Sequence, residues 1–217
     1  MKKLSIYIVL ITLISNFNTY AQSKYILEEY SPSVERVFNA STVTYYGVDM
    51  SMVKLTNSLK IGQDDLIRHY LYAWITTFEK ELPPEKYISK WLRKKDGFTF
   101  EPEEVQRRTE LVDEEWILRE SYSFDLEKLT KIIASYDLEQ NSGLGFVINA
   151  ENFNKQHEYM SLYYTFFDIG TRKILWATKI KGEPGGWGMN GFWSNGLTNS
   201  IKTYIDKCYK KKYKEYN

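Results

Sequence analysis

The strongest constraint on this fold lies in the last third of the chain, where two strand-like runs, Glu158 to Phe167 and Lys173 to Lys181, flank Asp168, Ile169, Gly170 and Thr171. Asp and Gly in so short a link are turn formers, so the two runs predict a β-hairpin. Side chains alternate along a strand, which places Ile174, Trp176, Thr178 and Ile180 on one face of the second run. Leu144 to Asn149 predicts another strand just upstream. After a glycine-rich loop, Trp193, Leu197, Ile201, Tyr204, Ile205 and Cys208 recur at helical spacing and predict a closing helix with that inner stripe.

Nearer the N-terminus, Tyr25 to Asn39 is polar and interrupted by Pro32, and is expected to be loosely held. Ser41 to Val48 is β-branched and aromatic and predicts a first strand, with room to run on toward Leu55. From Asp64 to Leu82 the apolar positions Leu66, Ile67, Tyr70, Leu71, Trp74, Ile75 and Phe78 make one helical stripe, capped by Asp64 and ended by Pro83 and Pro84. A second helix is expected from Pro84 to Gly97, with Tyr87, Ile88, Trp91 and Leu92 on one side. Glu101 to Glu120 reads equally as a helix followed by a strand or as one long strand, with Leu111, Val112, Trp116, Ile117 and Leu118 as its apolar positions. Asp125 caps a further helix with Leu126, Leu129, Ile132, Ile133 and Tyr136 inward. Strands and helices in this mixed order, with an antiparallel hairpin, define an α+β domain: a mixed, largely antiparallel sheet with helices packed on it.

Residues 1 to 21 carry Lys2 and Lys3, an apolar run from Leu4 to Ile14, and a polar stretch closing on Thr19, Tyr20 and Ala21. That tripartite pattern predicts a secretory signal peptide cleaved before Gln22, and the run is too short for a membrane-crossing helix. Cleavage would leave a single globular domain, with residues 22 to 40 as its loose leader and no transmembrane segment. Cys208 is the chain's one cysteine, so there is neither an intramolecular disulfide nor a lipidation cysteine after the apolar run. Removing Lys2 and Lys3 moves the formal charge from +1 to −1, which argues against nucleic-acid binding, since neutralising phosphates needs a basic surplus.

The sharpest local pattern is Gly185, Gly186, Trp187, Gly188, Met189, Asn190 and Gly191. Gly186, Gly188 and Gly191 match G-x-G-x-x-G, but dinucleotide binding also needs a parallel strand after the helix, and the chain ends with that helix. No cofactor is expected. The simpler expectation is that the glycines let the chain turn tightly while Trp187, Phe192 and Trp193 cap the core. The functional alternative makes the loop a contact surface for an envelope protein, glycan or lipid, with Trp187, Met189, Phe192 and Trp193 as candidate binding residues. His69 and His157 have no partners at metal-ligand spacing, so no metal is expected. Asp49, in the apolar context Tyr45 to Met50, is either a turn cap or one member of a hydrolytic carboxylate pair. Glu101, Glu103 and Glu104, and Asp113, Glu114 and Glu115, read as solvated faces, and the lysines from Lys207 to Lys214 read first as offsetting a helix dipole, with a weak attraction to anionic envelope lipid as the alternative.

Gly143 to Ile148, the hairpin from Phe166 to Leu175, and Gly185 to Gly188 resemble a family of small exported Gram-negative bacterial proteins of no assigned activity, and Tyr45 to Asp49 is similar to its first strand. The resemblance covers about half of the chain and implies no catalytic residues. More distantly, strand, hairpin and closing helix resemble envelope proteins with the TolB N-terminal type of fold, which include the curli secretion lipoprotein and activators of penicillin-binding proteins. That resemblance implies an adaptor or assembly factor, although this chain lacks the lipidation cysteine. The expected function is therefore an exported, non-catalytic binding or envelope-assembly module, with an envelope hydrolase using a carboxylate pair as the alternative.

Overall fold

The computed structural model describes residues 24–57, 66–110, 116–118 and 120–217. The expected signal peptide, the Asp64 cap, and Leu111, Val112 and Asp113 to Glu115 lie outside the described residues. The elements are β1 (Ile26–Tyr30), α1 (Val34–Asn39), β2 (Val43–Asp49), β3 (Lys54–Thr56), α2 (Tyr72–Glu81, entered through a π-helical segment Leu66–Leu71), α3 (Ile88–Trp91), β4 (Phe98–Phe100), α4 (Glu103–Glu110), β5 (Ile117–Leu118), α5 (Leu126–Ala134), β6 (Leu144–Asn154), β7 (Tyr159–Asp168), β8 (Ile174–Gly182), α6 (Gly188–Tyr204) and α7 (Lys210–Tyr216).

Among the described residues one sheet joins all eight strands, with the order β1-β8-β7-β6-β2-β4 along its main path. The long pairings of β6 with β7, β7 with β8 and β8 with β1 are antiparallel. Parallel strands line the other side of β6: β2 pairs with its first half and β3 with its last residues, with β4 outside β2 and β5 outside β3. The α+β architecture with a C-terminal hairpin and closing helix is thus what the fold contains.

Both faces of the sheet are covered. On one face Phe146, Ile148, Leu162, Tyr164, Phe166, Trp176 and Ile180 pack with residues of α1, α2 and α6. On the other, Val147, Tyr163, Phe167 and Ala177 pack with Leu129, Ile132 and Ile133 of α5 and with Phe124. Asp125 caps α5 as expected, its Oδ1 accepting the Lys128 amide at 2.9 Å.

Several expectations change. The leader from Tyr25 to Asn39 is not loose: β1 adds to β8, and α1 buries Val34, Val37 and Phe38. The second helix shrinks to the single turn α3, and Glu101 to Glu120 resolves into α4 and then β5. In β8 a bulge pairs Phe166 with Trp176 but Phe167 with Ile174. The extra residue flips the alternation, so Ile174 joins the opposite core from Trp176 and Ile180.

The closing helix is built from weak helix formers, and packing explains why. A Cβ on Gly196 would lie 2.7 Å from Met160 Cε and 3.2 Å from Pro184 Cα, while one on Gly182 would lie 2.9 Å from Ser200 Cβ. Small residues on both sides let α6 sit directly on the strands. Between α6 and α7 the helix widens into a π-turn at Ile205–Tyr209. The inserted residue lets the adjacent pairs Tyr204 and Ile205, and Cys208 and Tyr209, all face inward.

Candidate functional site

The loop between β8 and α6 is strapped to the helix it introduces. Gly185 N donates to Phe192 O at 3.1 Å, Asn195 Nδ2 donates to Gly185 O at 2.9 Å, and Asn199 Nδ2 donates to Glu183 O at 3.2 Å. Gly186 and Gly188 adopt φ of +101° and +70°, left-handed angles that a side chain would strain. Trp187 stands between them at the N-cap of α6, where this double reversal turns its indole outward, and it is 98% exposed.

This overturns the expectation that Trp187 caps the core. Trp193 departs the other way: it is fully buried, stacks on Phe153 at 5.0 Å, meets Trp74 at 6.0 Å, and directs Nε1 to Met189 Sδ at 3.1 Å. Five residues separate the two tryptophans, and the first turns of α6 carry one outward and the other into the core. Trp193 is therefore removed from the contact set as a structural support. Met189 and Phe192 are half-buried between them, Phe192 standing edge-on to Trp193 at 5.0 Å with Lys155 Nζ 3.6 Å above its ring. The surface constellation is Trp187, exposed, with Met189, Phe192 and Lys155 half-buried beside the core.

Asp49 is buried with both oxygens engaged. Oδ1 accepts the Ser51 amide at 2.8 Å, and Oδ2 accepts the Tyr136 hydroxyl at 2.7 Å and faces Arg108 Nε at 3.4 Å. Tyr136 also accepts from Asn149 Nδ2 at 2.7 Å, and Thr165 Oγ1 donates to Asn149 Oδ1 at 3.0 Å. Burial first, and then the Asp49 charge, holds the Tyr136 phenol well above its usual range. Asp49 thus caps a turn and anchors an internal chain of polar groups.

An acid-lined cleft of about 490 Å³ lies between α4 and the segment after α5, with Glu101, Glu103, Glu104, Asp137 and Glu139 on its walls and Asp49 outside it. Glu104, expected on a solvated face, is buried, its Oε2 paired with Arg107 at 2.8 Å and its Oε1 accepting the Asp137 amide at 3.1 Å. Glu101 accepts from Gln140. The two inner carboxylates of this cleft are therefore tied into the fold.

A second interior polar cluster escaped the sequence analysis. Lys179 Nζ lies 2.8 Å from Glu151 Oε1, 2.8 Å from Ser123 Oγ and 3.3 Å from Glu28 Oε1. Glu151 also accepts from the Phe124 amide at 2.7 Å and from Ser161 Oγ at 2.6 Å. These bonds tie β1, β6, β7, β8 and the entry to α5 together. The available signal was the alternation of Asn149 and Glu151 with apolar neighbours in a strand that turns out to be covered on both faces.

His69 and His157 are both exposed, and among the described residues no group of three or more His, Cys, Asp or Glu is placed to hold a metal ion. Cys208 is buried, and burial pushes its thiol up to about 12. In the basic tail Lys210 pairs with Asp206 at 2.6 Å and Lys212 with Glu29 at 3.2 Å. At 1.5 Å rise per residue these lysines stand roughly 35 Å along the helix from Trp187, so tail and loop do not form one patch. Among the described residues no helix is long and apolar enough to cross a membrane.

No protein-family model matches the chain, and no curated protein matches it. Among solved structures, two crystal forms of the PelC dodecamer from Paraburkholderia phytofirmans, one of them a point variant, are similar at 10% identity and a TM-score of 0.32. The match covers 82% of this chain and 94% and 93% of those chains. A TM-score of 0.32 carries no conclusion about fold or function.

Proposed function

We propose that the chain is an exported, non-catalytic binding or envelope-assembly module whose contact surface is the loop carrying Trp187. The observation that carries the reading is the 98% exposure of that indole on a loop strapped to a rigid helix. A large ring left in water forgoes the free energy that burial in a partner would return, and tryptophan is enriched at the centres of interfaces for that reason. Met189 and Phe192 extend the apolar surface beneath it. The N-terminal pattern from Lys2 to Ala21 supports export, and the resemblance to envelope adaptors supports the class of function.

The test has two parts. Mass spectrometry of the protein recovered from periplasm or medium is expected to show a chain beginning at Gln22, and an intact Met1 in membrane-retained protein would overturn export. Partners captured on the wild-type chain from an envelope fraction are then titrated against the Trp187→Ala protein. A loss of about 2 kcal/mol of binding, roughly thirtyfold, is expected for a central anchor. Unchanged affinity would overturn the assignment of the surface.

A further inference from the structure

We propose that the occupant of this surface is a lipid–water interface, into which Trp187 inserts with Met189 and Phe192 following; the inference rests on the loop being the contact surface. The shape of the loop distinguishes a lipid surface from a protein pocket. A Cβ added at Gly185, Gly188 or Gly191 would meet nothing within 4 Å, so the indole rises from bare backbone as a convex tip. A protein hot spot sits instead within a broad complementary patch ringed by polar groups. An isolated apolar tip gains most from a medium that closes around it on all sides, and a bilayer's headgroup boundary, where tryptophan concentrates, is such a medium.

The charges around the tip fit the same occupant. From Pro184 to Ile205 the sequence contains no carboxylate, so no acid would be dragged toward the acyl region. The lysines at this end of the sheet lie over aromatic rings: Lys155 Nζ is 3.6 Å from the Phe192 centroid, Lys181 is 5.0 Å from Tyr159 and Lys24 is 4.8 Å from Tyr25. The ammonium groups themselves sit over the ring faces as cation–π contacts, which holds positive charge beside the apolar tip, where anionic headgroups would meet it. Among the described residues, Glu183 pairs with Lys24 at 3.2 Å and Glu158 with Lys155 at 3.5 Å, while the contact shown for Lys181 is with the Tyr159 ring. The electrostatic contribution is therefore small, and insertion of the ring dominates.

The experiment uses the mature chain with vesicles of phosphatidylcholine, alone and mixed with phosphatidylglycerol, read by co-sedimentation and by quenching of tryptophan fluorescence with acyl-brominated lipid. Trp74, Trp116, Trp176 and Trp193 are fully buried and Trp91 is half-buried, so quenching reports chiefly on Trp187. Reversible binding to both vesicles is expected, at most severalfold tighter with phosphatidylglycerol, with quenching that disappears in Trp187→Ala. Losing the indole should lower the partition coefficient about tenfold or more, with Trp187→Phe between the two. Absence of quenching in the wild-type chain, or equal partitioning of Trp187→Ala, overturns the lipid assignment. Loss of a captured protein partner in Trp187→Ala without any vesicle binding overturns it too, while leaving the contact surface in place.

Discussion

Trp187 and Trp193 offer a paired test of how α6 divides its first turns between solvent and core. Trp193 is fully buried and makes ring contacts with Trp74, Phe153 and Phe192. An indole buries on the order of 200 Å², which at about 25 cal/mol per Å² is about 5 kcal/mol before any relaxation of the cavity. Large core truncations cost about 3 to 5 kcal/mol, so Trp193→Ala is expected in that range, equivalent to roughly 10 °C in Tm for a domain of this size. Trp187→Ala removes a ring that buries almost nothing and should change stability by less than about 0.5 kcal/mol. Urea unfolding followed by far-UV circular dichroism measures both, because the backbone signal does not depend on the fluorophore being removed. Comparable losses in the two variants would refute the division and return Trp187 to the core.

Two further outcomes follow from buried ionisable groups. Lys179→Met strands Glu151, 1% exposed, without its cation and should cost about 3 kcal/mol, at the low end for a broken buried pair because three neutral donors remain. Glu28→Ala, at the half-exposed end of the same cluster, should cost less than about 1 kcal/mol, and equal losses in denaturant titrations would show that burial does not set the difference. Burial first, and then Glu85, raises the Glu79 carboxyl from 4.5 to about 7. The unfolded chain therefore ionises first, and stability falls as pH rises from about 4.5 through 7. Glu79→Gln removes that loss, so its Tm relative to wild type should be higher at pH 8 than at pH 4; the same difference at both would contradict the shift.

What could be read from the sequence was what is decided locally. Asp168 turns the hairpin by accepting the Thr171 amide and hydroxyl at 2.8 and 2.9 Å, contacts that lie within four residues, and Asp125 caps α5 in the same way. The inner stripe of the closing helix was legible because it repeats over four turns. Ile26 to Tyr30 was not, because an edge strand with one neighbour has no second covered side to enforce alternation, and β1 is held by backbone pairing to β8. The bulge that flips Ile174 leaves no mark in composition. The polar clusters were illegible for a related reason: Lys179 meets Glu28 across 151 residues and Asp49 meets Tyr136 across 87. Which polar residues of a strand are interior depends on whether a second layer covers that face, and a single sequence does not state it.

The same distinction explains why the glycine-rich loop gave two opposite expectations. Gly186 and Gly188 reveal that the chain reverses there, but the direction in which the reversal carries Trp187 is set by where α6 lies on the sheet. That placement depends on Gly182, Gly196 and Ser200 allowing helix and strands into close contact, and on Met160 filling the space between them. Once α6 is seated, Asn195 and Asn199 fix the loop to its first turns, and Trp193 locks the same turns to Trp74 and Phe153. The indole of Trp187 is therefore displayed from a base that has already lost its freedom on folding. Binding through it would order one ring rather than a whole loop, and a preorganised contact of that kind retains more of its gross interaction energy as affinity. The buried tryptophan thus supports the exposed one.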